Sequence, residues 1–256
     1  MDPREVEALR VAYNKEHPHE DPIKQGPKAW MDITRRLKDA CDTGAPACIV
    51  HSLVKKPEAP MSWTNKPTEW LSSDDIDKSQ EYYQSIIPDY YYTGSVPIDF
   101  DLHNETGKCL VSSLCSLSVS TLYKKGYRRI GIVFNTDPHD GPGEHWIAAF
   151  CDMRPELEYP KMTYFDSYGQ KPEPEIQRLM KKWKDQVDDM KIHPKPMDLS
   201  YNAVRHQYKD AQCGMYCIYF LHCSLFDIPM DKTVPDDVVM MMRPLFFKYK
   251  QHRASK

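Results

Sequence analysis

The chain has 256 residues, of which 41% are hydrophobic and 28% are charged, and this balance excludes a disordered chain. At about 150 residues per domain, the length predicts one large domain with or without a smaller attachment. The formal net charge of -3 gives no global electrostatic reason to bind nucleic acid or an anionic membrane. We therefore expect neither as a partner.

The sequence pattern argues against secretion and against a membrane span. The first ten residues carry five charges, and no apolar segment follows them as it does in a secretory signal. The longest weakly polar run, residues 109–123, contains five serines and a threonine. We expect a protein that is not secreted, so its eight cysteines are predicted to be free thiols in a reducing compartment.

The first quarter of the chain differs in composition from the rest. Residues 1–67 contain eight prolines and one amphipathic pattern, in residues 28–41, where apolar side chains recur at helical spacing. This composition predicts an N-terminal arm or small extension over residues 1–67. The main domain is then predicted over residues 68–256.

The main domain begins with one helix signal and three strand signals. Ser72 or Ser73 can cap a helix that runs to residue 86, and the acidic residues after them favour its first turns. Short apolar runs rich in strand-forming residues follow at residues 130–134, 146–150 and 161–165. These runs predict neighbouring strands of a half-buried sheet.

The remainder of the main domain is predicted to be mostly helical. Residues 172–190 repeat apolar side chains on one helical face, and residues 197–204 predict a further strand. Residues 211–226 contain no Asp, Glu, Lys or Arg, which predicts a helix buried on most sides. A last helix begins near Pro235 and is kinked or ended at Pro244. The elements together predict an α+β fold, with a central mixed sheet flanked by helices.

Four side chains of complementary chemistry fall at the ends of these elements. His145 opens one predicted strand, and Asp166 follows the next. Gln207 precedes Cys213 by six residues, and Cys213 stands near the start of the buried helix. Because strand ends can face the N-terminus of a helix, we predict that these four residues form one site.

A cysteine nucleophile needs these residue types. A thiol attacks as a thiolate, which a helix N-terminus and a nearby imidazole both favour. His145 can take the proton of Cys213 and later protonate a leaving amine, while Asp166 holds the other imidazole nitrogen. Gln207 and the backbone N–H of Cys213 can form an oxyanion hole. Each residue alone also fits a packing role, so the ordered set of four carries the prediction.

The ordered set resembles a known family. His145-Trp146, then Asp166, then the run from Gln207 to Gly214, is similar to the pattern of the adenain and Ulp1-like cysteine proteases. In papain the cysteine comes first instead. Further segments resemble the branch of that family found in large cytoplasmic DNA viruses, of the African swine fever virus type, and they are residues 97–101, 130–137, 143–146, 164–169 and 205–207. This branch can carry Asn where the present chain has Asp166.

The resemblance spans about residues 68–226 and implies a papain-like, Ulp1-like fold and an endopeptidase that needs no metal or cofactor. Its protein substrates are expected to be viral capsid or core precursors, cut after Gly-Gly or a similarly small pair during virion maturation. The expected place is the host cytoplasm, at the virus factory, or the virion. Trp146 is expected to wall a narrow substrate channel, and Gly214 to let the substrate backbone approach.

Three alternatives remain open from the sequence. The first is a Ulp1-like protease that removes ubiquitin-like modifiers, a deSUMOylase or deubiquitinase, because such enzymes share the narrow channel. The second is a non-enzymatic or zinc-stabilised interaction module, although the chain has no Cys-x2-Cys spacing and Cys217 and Cys223 are expected to be packing residues. The third is an acyltransferase with the same catalytic set. The oligomeric state and the purpose of the arm are left open.

Overall fold

The centre of the molecule is a five-stranded mixed sheet. The computed structural model describes residues 3–41, 45–53 and 56–249. The strands are β1 (Tyr90–Pro97), β2 (Arg129–Asn135), β3 (Trp146–Asp152), β4 (Lys161–Phe165) and β5 (Asp198–Tyr201). They lie in the sheet in this same order, with the outer pairs β1–β2 and β4–β5 parallel and the inner pairs antiparallel.

Helices surround this sheet. They are α1 (Pro3–Glu16), α2 (Ala29–Arg36), α3 (Pro46–Leu53), α4 (Ser73–Ile86), α5 (Ser112–Cys115), α6 (Val119–Lys124), α7 (Pro174–Met190), α8 (Cys213–Leu225), α9 (Asp236–Met241) and α10 (Arg243–Phe246). A 3-10 turn covers Met61–Thr64. Among the helices of the described ranges, none is both long enough and apolar enough to cross a bilayer.

Buried side chains pack on both faces of the sheet. Alternate residues of a strand point to opposite faces, and β3 shows this clearly. Ala148 and Phe150 belong to the buried cluster that contains α4 and α8, whereas Ile147 and Ala149 belong to the cluster that contains α6 and α7. The sheet is therefore the middle layer of three, as the α+β prediction requires.

The helices predicted in the main domain are confirmed with shifted ends. Ser72 is the cap of α4, because its hydroxyl accepts the N–H of Asp75 and the Asp75 carboxylate accepts the N–H of Ser72. The predicted C-terminal helix is divided at Met242 into α9 and α10. Pro244 stands in the first turn of α10, where the N–H that proline lacks would have no helical partner anyway.

The arm contains more helix than the sequence predicted. The prediction of one helix over residues 28–41 corresponds to the shorter α2, while α1 and α3 were missed. Leu9, Ile33 and Trp63 lie in the same buried cluster as Ile76 of α4. Tertiary packing of a few apolar side chains thus stabilises α1 and α2, whose own sequences are mostly polar. The domain boundary at residue 67 stays a prediction.

The prediction that all eight cysteines are free thiols is wrong. The disulfide pairs are Cys41–Cys48 and Cys109–Cys115. Their Cα atoms are 5.7 Å and 6.5 Å apart, within the range that a disulfide spans. The free thiols are Cys151, Cys213, Cys217 and Cys223.

Candidate active site

Cys213 is the first residue of α8 and is only 2% exposed. The first N–H groups of a helix have no partner inside the helix, and the helix dipole places partial positive charge there. Negative charge on the Cys213 sulfur, or on a substrate oxygen beside it, is therefore favoured at this point.

His145 and Asp166 come from neighbouring strands. His145 immediately precedes β3 and Asp166 immediately follows β4, and the two strands are antiparallel, with Ala148 opposite Phe165. This register brings the imidazole Nε2 within 2.7 Å of the Asp166 carboxylate Oδ1. The bond to Nε2 leaves Nδ1 as the nitrogen that can exchange a proton with Cys213.

The Asp166 carboxylate is fixed by backbone groups of the turn that follows it. Oδ1 also accepts the Tyr168 N–H at 2.9 Å, and Oδ2 accepts the Gln170 N–H at 3.2 Å. The Asp166 N–H itself donates to the Asn202 side-chain oxygen at 2.9 Å. Because the residue is almost fully buried, this carboxylate holds His145 in one orientation.

The imidazole of His145 holds its proton more strongly than an ordinary histidine. Burial lowers the pKa of His145, but the hydrogen bonds to Asp166 and Cys213 outweigh burial and raise this pKa to about 9. The favoured state of the site at neutral pH therefore includes an imidazolium. An imidazolium beside a thiolate is the pair that nucleophilic catalysis by cysteine uses.

This raised pKa predicts where activity is lost at alkaline pH. The imidazolium is present below about pH 9 and disappears as the pH rises through that value, so kcat/KM is expected to fall along a limb centred near 9. The measurement is kcat/KM on a short peptide across the range from neutral to strongly alkaline pH. A fall in kcat/KM centred near pH 6.5, the ordinary pKa of histidine, would show that Asp166 and Cys213 do not raise the pKa of His145.

Gln207 lies fully buried in the loop that leads into α8. Its amide oxygen accepts the hydroxyl of Ser167 at 2.6 Å, and its amide nitrogen donates to the Lys209 carbonyl at 2.6 Å. The second amide hydrogen is directed to the Tyr168 hydroxyl at the longer distance of 3.3 Å. Because this bond to Tyr168 is the weaker one, its hydrogen is the one that a substrate oxyanion could accept instead. The role of Gln207 in an oxyanion hole stays a prediction.

Trp146 and Gly214 pack against each other under one side of the cleft. The Trp146 indole N–H donates to the Leu71 carbonyl at 2.9 Å. A Cβ added to Gly214 would lie 3.0 Å from Leu71 and 3.4 Å from the Trp146 ring, so glycine lets the segment carrying Leu71 approach α8. This packing explains the glycine, while its predicted contact with substrate stays a prediction.

Two aromatic residues of the site were missed by the sequence analysis. The Tyr168 ring stacks on the His145 imidazole, with centroids 4.7 Å apart. Trp70, which is 43% exposed, lines a cavity together with Pro138, Pro142 and Trp146, the residue that follows His145. Trp70 stands just before the predicted helix that became α4. Its contact with the cavity formed by the loop before β3 depends on the tertiary fold, so the sequence alone did not indicate it.

Comparisons with known proteins show that this chain is similar to cysteine proteases. Residues 130–256 match the Ulp1 protease family, C-terminal catalytic domain. A protein of Acanthamoeba polyphaga mimivirus that is named as a thiol protease is 28% identical over 202 residues, which cover 74% of this chain and 62% of that protein. A cysteine protease of African swine fever virus is 34% identical over 105 residues, 41% of this chain and 37% of that protein. Other isolates carry a 33% identical relative that is named as a SUMO-1 cysteine protease.

The crystal structure of the African swine fever virus protease shows the same fold. It superposes with a TM-score of 0.63 at 18% sequence identity, covering 91% of this chain and 93% of that one. The two proteins therefore share one fold. The match to the Ulp1 family model covers 127 of the 256 residues of this chain, all of them in its C-terminal part. In the sequence alignments, the chain spans less than two thirds of the length of both curated relatives.

Proposed function

We propose that this protein is a viral cysteine endopeptidase that cuts structural precursor polyproteins. The observation that carries the proposal is the 2.7 Å bond between His145 and Asp166, beside Cys213 at the N-terminus of α8. A cysteine that only packs does not need an imidazole whose second nitrogen is held by a buried carboxylate. The relatives in mimivirus and African swine fever virus support the viral assignment.

The first half of the reaction forms an acyl-enzyme. The Cys213 thiolate attacks the carbonyl carbon of the scissile peptide, and the electron pair of the C=O bond moves to oxygen. The Cys213 backbone N–H and the Gln207 amide N–H stabilise this oxyanion. The tetrahedral intermediate then collapses, the C–N bond breaks, and the His145 imidazolium gives its proton to the leaving amine.

The second half of the reaction releases the acyl group. His145, now neutral, takes a proton from a water molecule whose oxygen attacks the thioester carbon. The carbon–sulfur bond breaks, the new carboxyl end of the substrate leaves, and the thiolate–imidazolium pair is restored. Throughout both halves, the bond from Nε2 to Asp166 keeps Nδ1 aimed at the reacting atoms.

The shape of the cleft supports cleavage after small residues. Trp70 and Trp146 line one cavity with Pro138 and Pro142, and Trp146 directly follows His145 in the chain. If this cavity receives the substrate, its rigid aromatic and proline side chains limit the size of a substrate side chain next to the scissile bond. Gly-Gly or a similarly small pair therefore fits this channel best.

The test is to incubate the purified full chain with candidate viral precursors and to identify the new termini by mass spectrometry. We expect new C-termini at Gly-Gly or similarly small pairs. Ends that are scattered over large side chains would contradict the proposed channel. Absence of any cleavage product from precursors containing such pairs would contradict the proposed endopeptidase.

A second candidate function is removal of ubiquitin-like modifiers. It is favoured by the relatives named as SUMO-1 cysteine proteases. Ubiquitin-like modifiers that carry an electrophile at their C-terminus separate the two functions. Rapid labelling of Cys213 by such a probe, without cleavage of any viral precursor, would favour this second function.

The proposed site of action is the virus factory in the host cytoplasm, or the virion. Cleavage of precursors during assembly would occur at the virus factory, whereas cleavage after packaging would occur in the virion. Cell fractionation with an antibody against the chain, compared with the protein content of purified virions, distinguishes them. Recovery in the culture medium free of virions would contradict both.

A further inference from the structure

The two sides of the cleft are both held by the C-terminal part of the chain. One side is the loop of residues 205–209, which carries Gln207, and the other is the segment of residues 67–71, which carries Trp70. Neither belongs to a helix or a strand, so contacts from elsewhere must fix their positions. We name residues 234–249, which contain α9 and α10, the C-terminal strap.

Asp236 ties the strap to the loop that carries Gln207. One carboxylate oxygen accepts the backbone N–H of Tyr208 at 3.0 Å. The other lies 3.0 Å from the hydroxyl of Tyr216, which stands on α8 one turn after Cys213. Asp236 is only 7% exposed, so these are bonds to a charged group shielded from water. The carboxylate therefore bridges the Gln207 loop and the helix that bears the nucleophile.

Arg243 ties the strap to the other side of the cleft. Its guanidinium donates to the Pro67 carbonyl at 2.9 Å and to the Glu69 carbonyl. It also lies 4.2 Å from the centre of the Trp63 ring. A cation that is 98% buried is costly to hold, and here its hydrogen bonds go to backbone carbonyls of the cleft segment. The Glu69 carbonyl immediately precedes Trp70.

We propose that the C-terminal strap is a positioning element that sets both sides of the cleft. In it, Asp236 is a positioning residue for the oxyanion site, and Arg243 is a positioning residue for the substrate wall at Trp70. The proposal rests on the proposed protease function. It assigns different kinetic roles to the two residues, since the oxyanion forms only in the transition state and the wall already contacts bound substrate.

The test measures kcat and KM separately on one peptide substrate. We expect Asp236→Ala to lower kcat by about tenfold with KM within about twofold, because a shift of the Gln207 loop weakens only oxyanion stabilisation. Asp236→Asn should regain most of this loss, since its side-chain oxygen still accepts the Tyr208 N–H. We expect Arg243→Met to raise KM by about tenfold with kcat within about twofold, and Arg243→Lys to have an intermediate effect.

Asp237→Asn is the matched control. Asp237 belongs to the same strap and pairs with Lys209 of the same loop, but both side chains are largely exposed. Such a surface pair contributes little, so kcat and KM should each stay within about twofold of the parent. Active sites are counted with an electrophilic peptide, because partial unfolding reduces the number of active molecules without changing KM. Equal kinetic constants in Asp236→Ala, Arg243→Met and the control would overturn the proposal.

Hydrogen exchange tests the strap without any substrate. Asp236→Ala is expected to speed amide exchange in residues 205–209, and Arg243→Met in residues 67–71, while Asp237→Asn changes neither. If the parent chain cleaves no substrate, the protease function fails and this measurement alone decides on the strap. Unchanged exchange in both segments would overturn the strap even in an active protease.

Discussion

Replacing Cys213 with alanine is expected to lower kcat/KM for a Gly-Gly-containing peptide by at least about 10⁴-fold. The reason is that the sulfur is the attacking atom, and no other side chain at the N-terminus of α8 can form the acyl-enzyme. His145 and the oxyanion donors remain in place, so substrate binding should persist. The measurement combines cleavage kinetics with a binding titration, in which Kd is expected to change by less than about threefold.

Cys217→Ala is the matched control for this variant. Cys217 lies one helical turn after Cys213 on α8 and is fully buried, and burial raises its pKa well above the ordinary value. A buried thiol of this kind stays protonated and packs as a small apolar group. Its removal is expected to change kcat/KM by less than about threefold. Equal losses in the two variants would remove Cys213 from its assigned role.

The other free thiols are distinguished from Cys213 by the same physical reasoning. Burial raises the pKa of Cys151 and raises that of Cys223 to about 11, whereas Cys213 forms a hydrogen bond with His145. The sequence predicted this ranking from order and position alone. It could do so because each of these residues stands at the end of an element that the sequence predicts. The nucleophile is at a helix N-terminus, and the histidine and the acid are at two strand ends.

Features that depend on distant parts of the chain were not visible in the sequence. Strand β1 was missed because its register shifts between Tyr92 and Ser95, around a glycine with positive φ, which breaks the alternation that marks a strand. The docking of the arm depends on Arg129, whose guanidinium bonds to Asp89 and to Glu5 of α1. Those partners are 40 and 124 residues away, so no sequence window could connect them.

The disulfides and the ring of Tyr168 were missed for a related reason. Cys41 and Cys48 are seven residues apart in the sequence, a spacing that does not by itself indicate a disulfide, and compartment arguments alone favoured the reduced form. Tyr168 stacks on His145 only because the turn after β4 is pinned to the Asp166 carboxylate. The sequence therefore predicts the candidate reactive residues, whereas the fold shows which contacts position their side chains.

The role of Asp166 can be separated into orientation and charge. Asp166→Ala removes both, and kcat/KM is expected to fall by about 10²- to 10⁴-fold. Asp166→Asn keeps one acceptor oxygen. Two donors, the His145 Nε2–H and the Tyr168 N–H, meet at Oδ1, whereas only the more distant Gln170 N–H faces Oδ2. The amide oxygen should therefore occupy the Oδ1 position and keep the imidazole in its tautomer and orientation.

Asp166→Asn is thus expected to lose only about tenfold in kcat/KM, because orientation survives while the charge that stabilises the imidazolium is gone. Without that charge the pKa of His145 falls, so the alkaline limb of the pH profile should move from about 9 towards lower pH. The measurement is kcat/KM against pH for the parent and both variants, with thermal unfolding to confirm that each is folded. Equal losses in the two variants would show that charge outweighs orientation, and an unmoved limb would show that Asp166 does not hold the proton on His145.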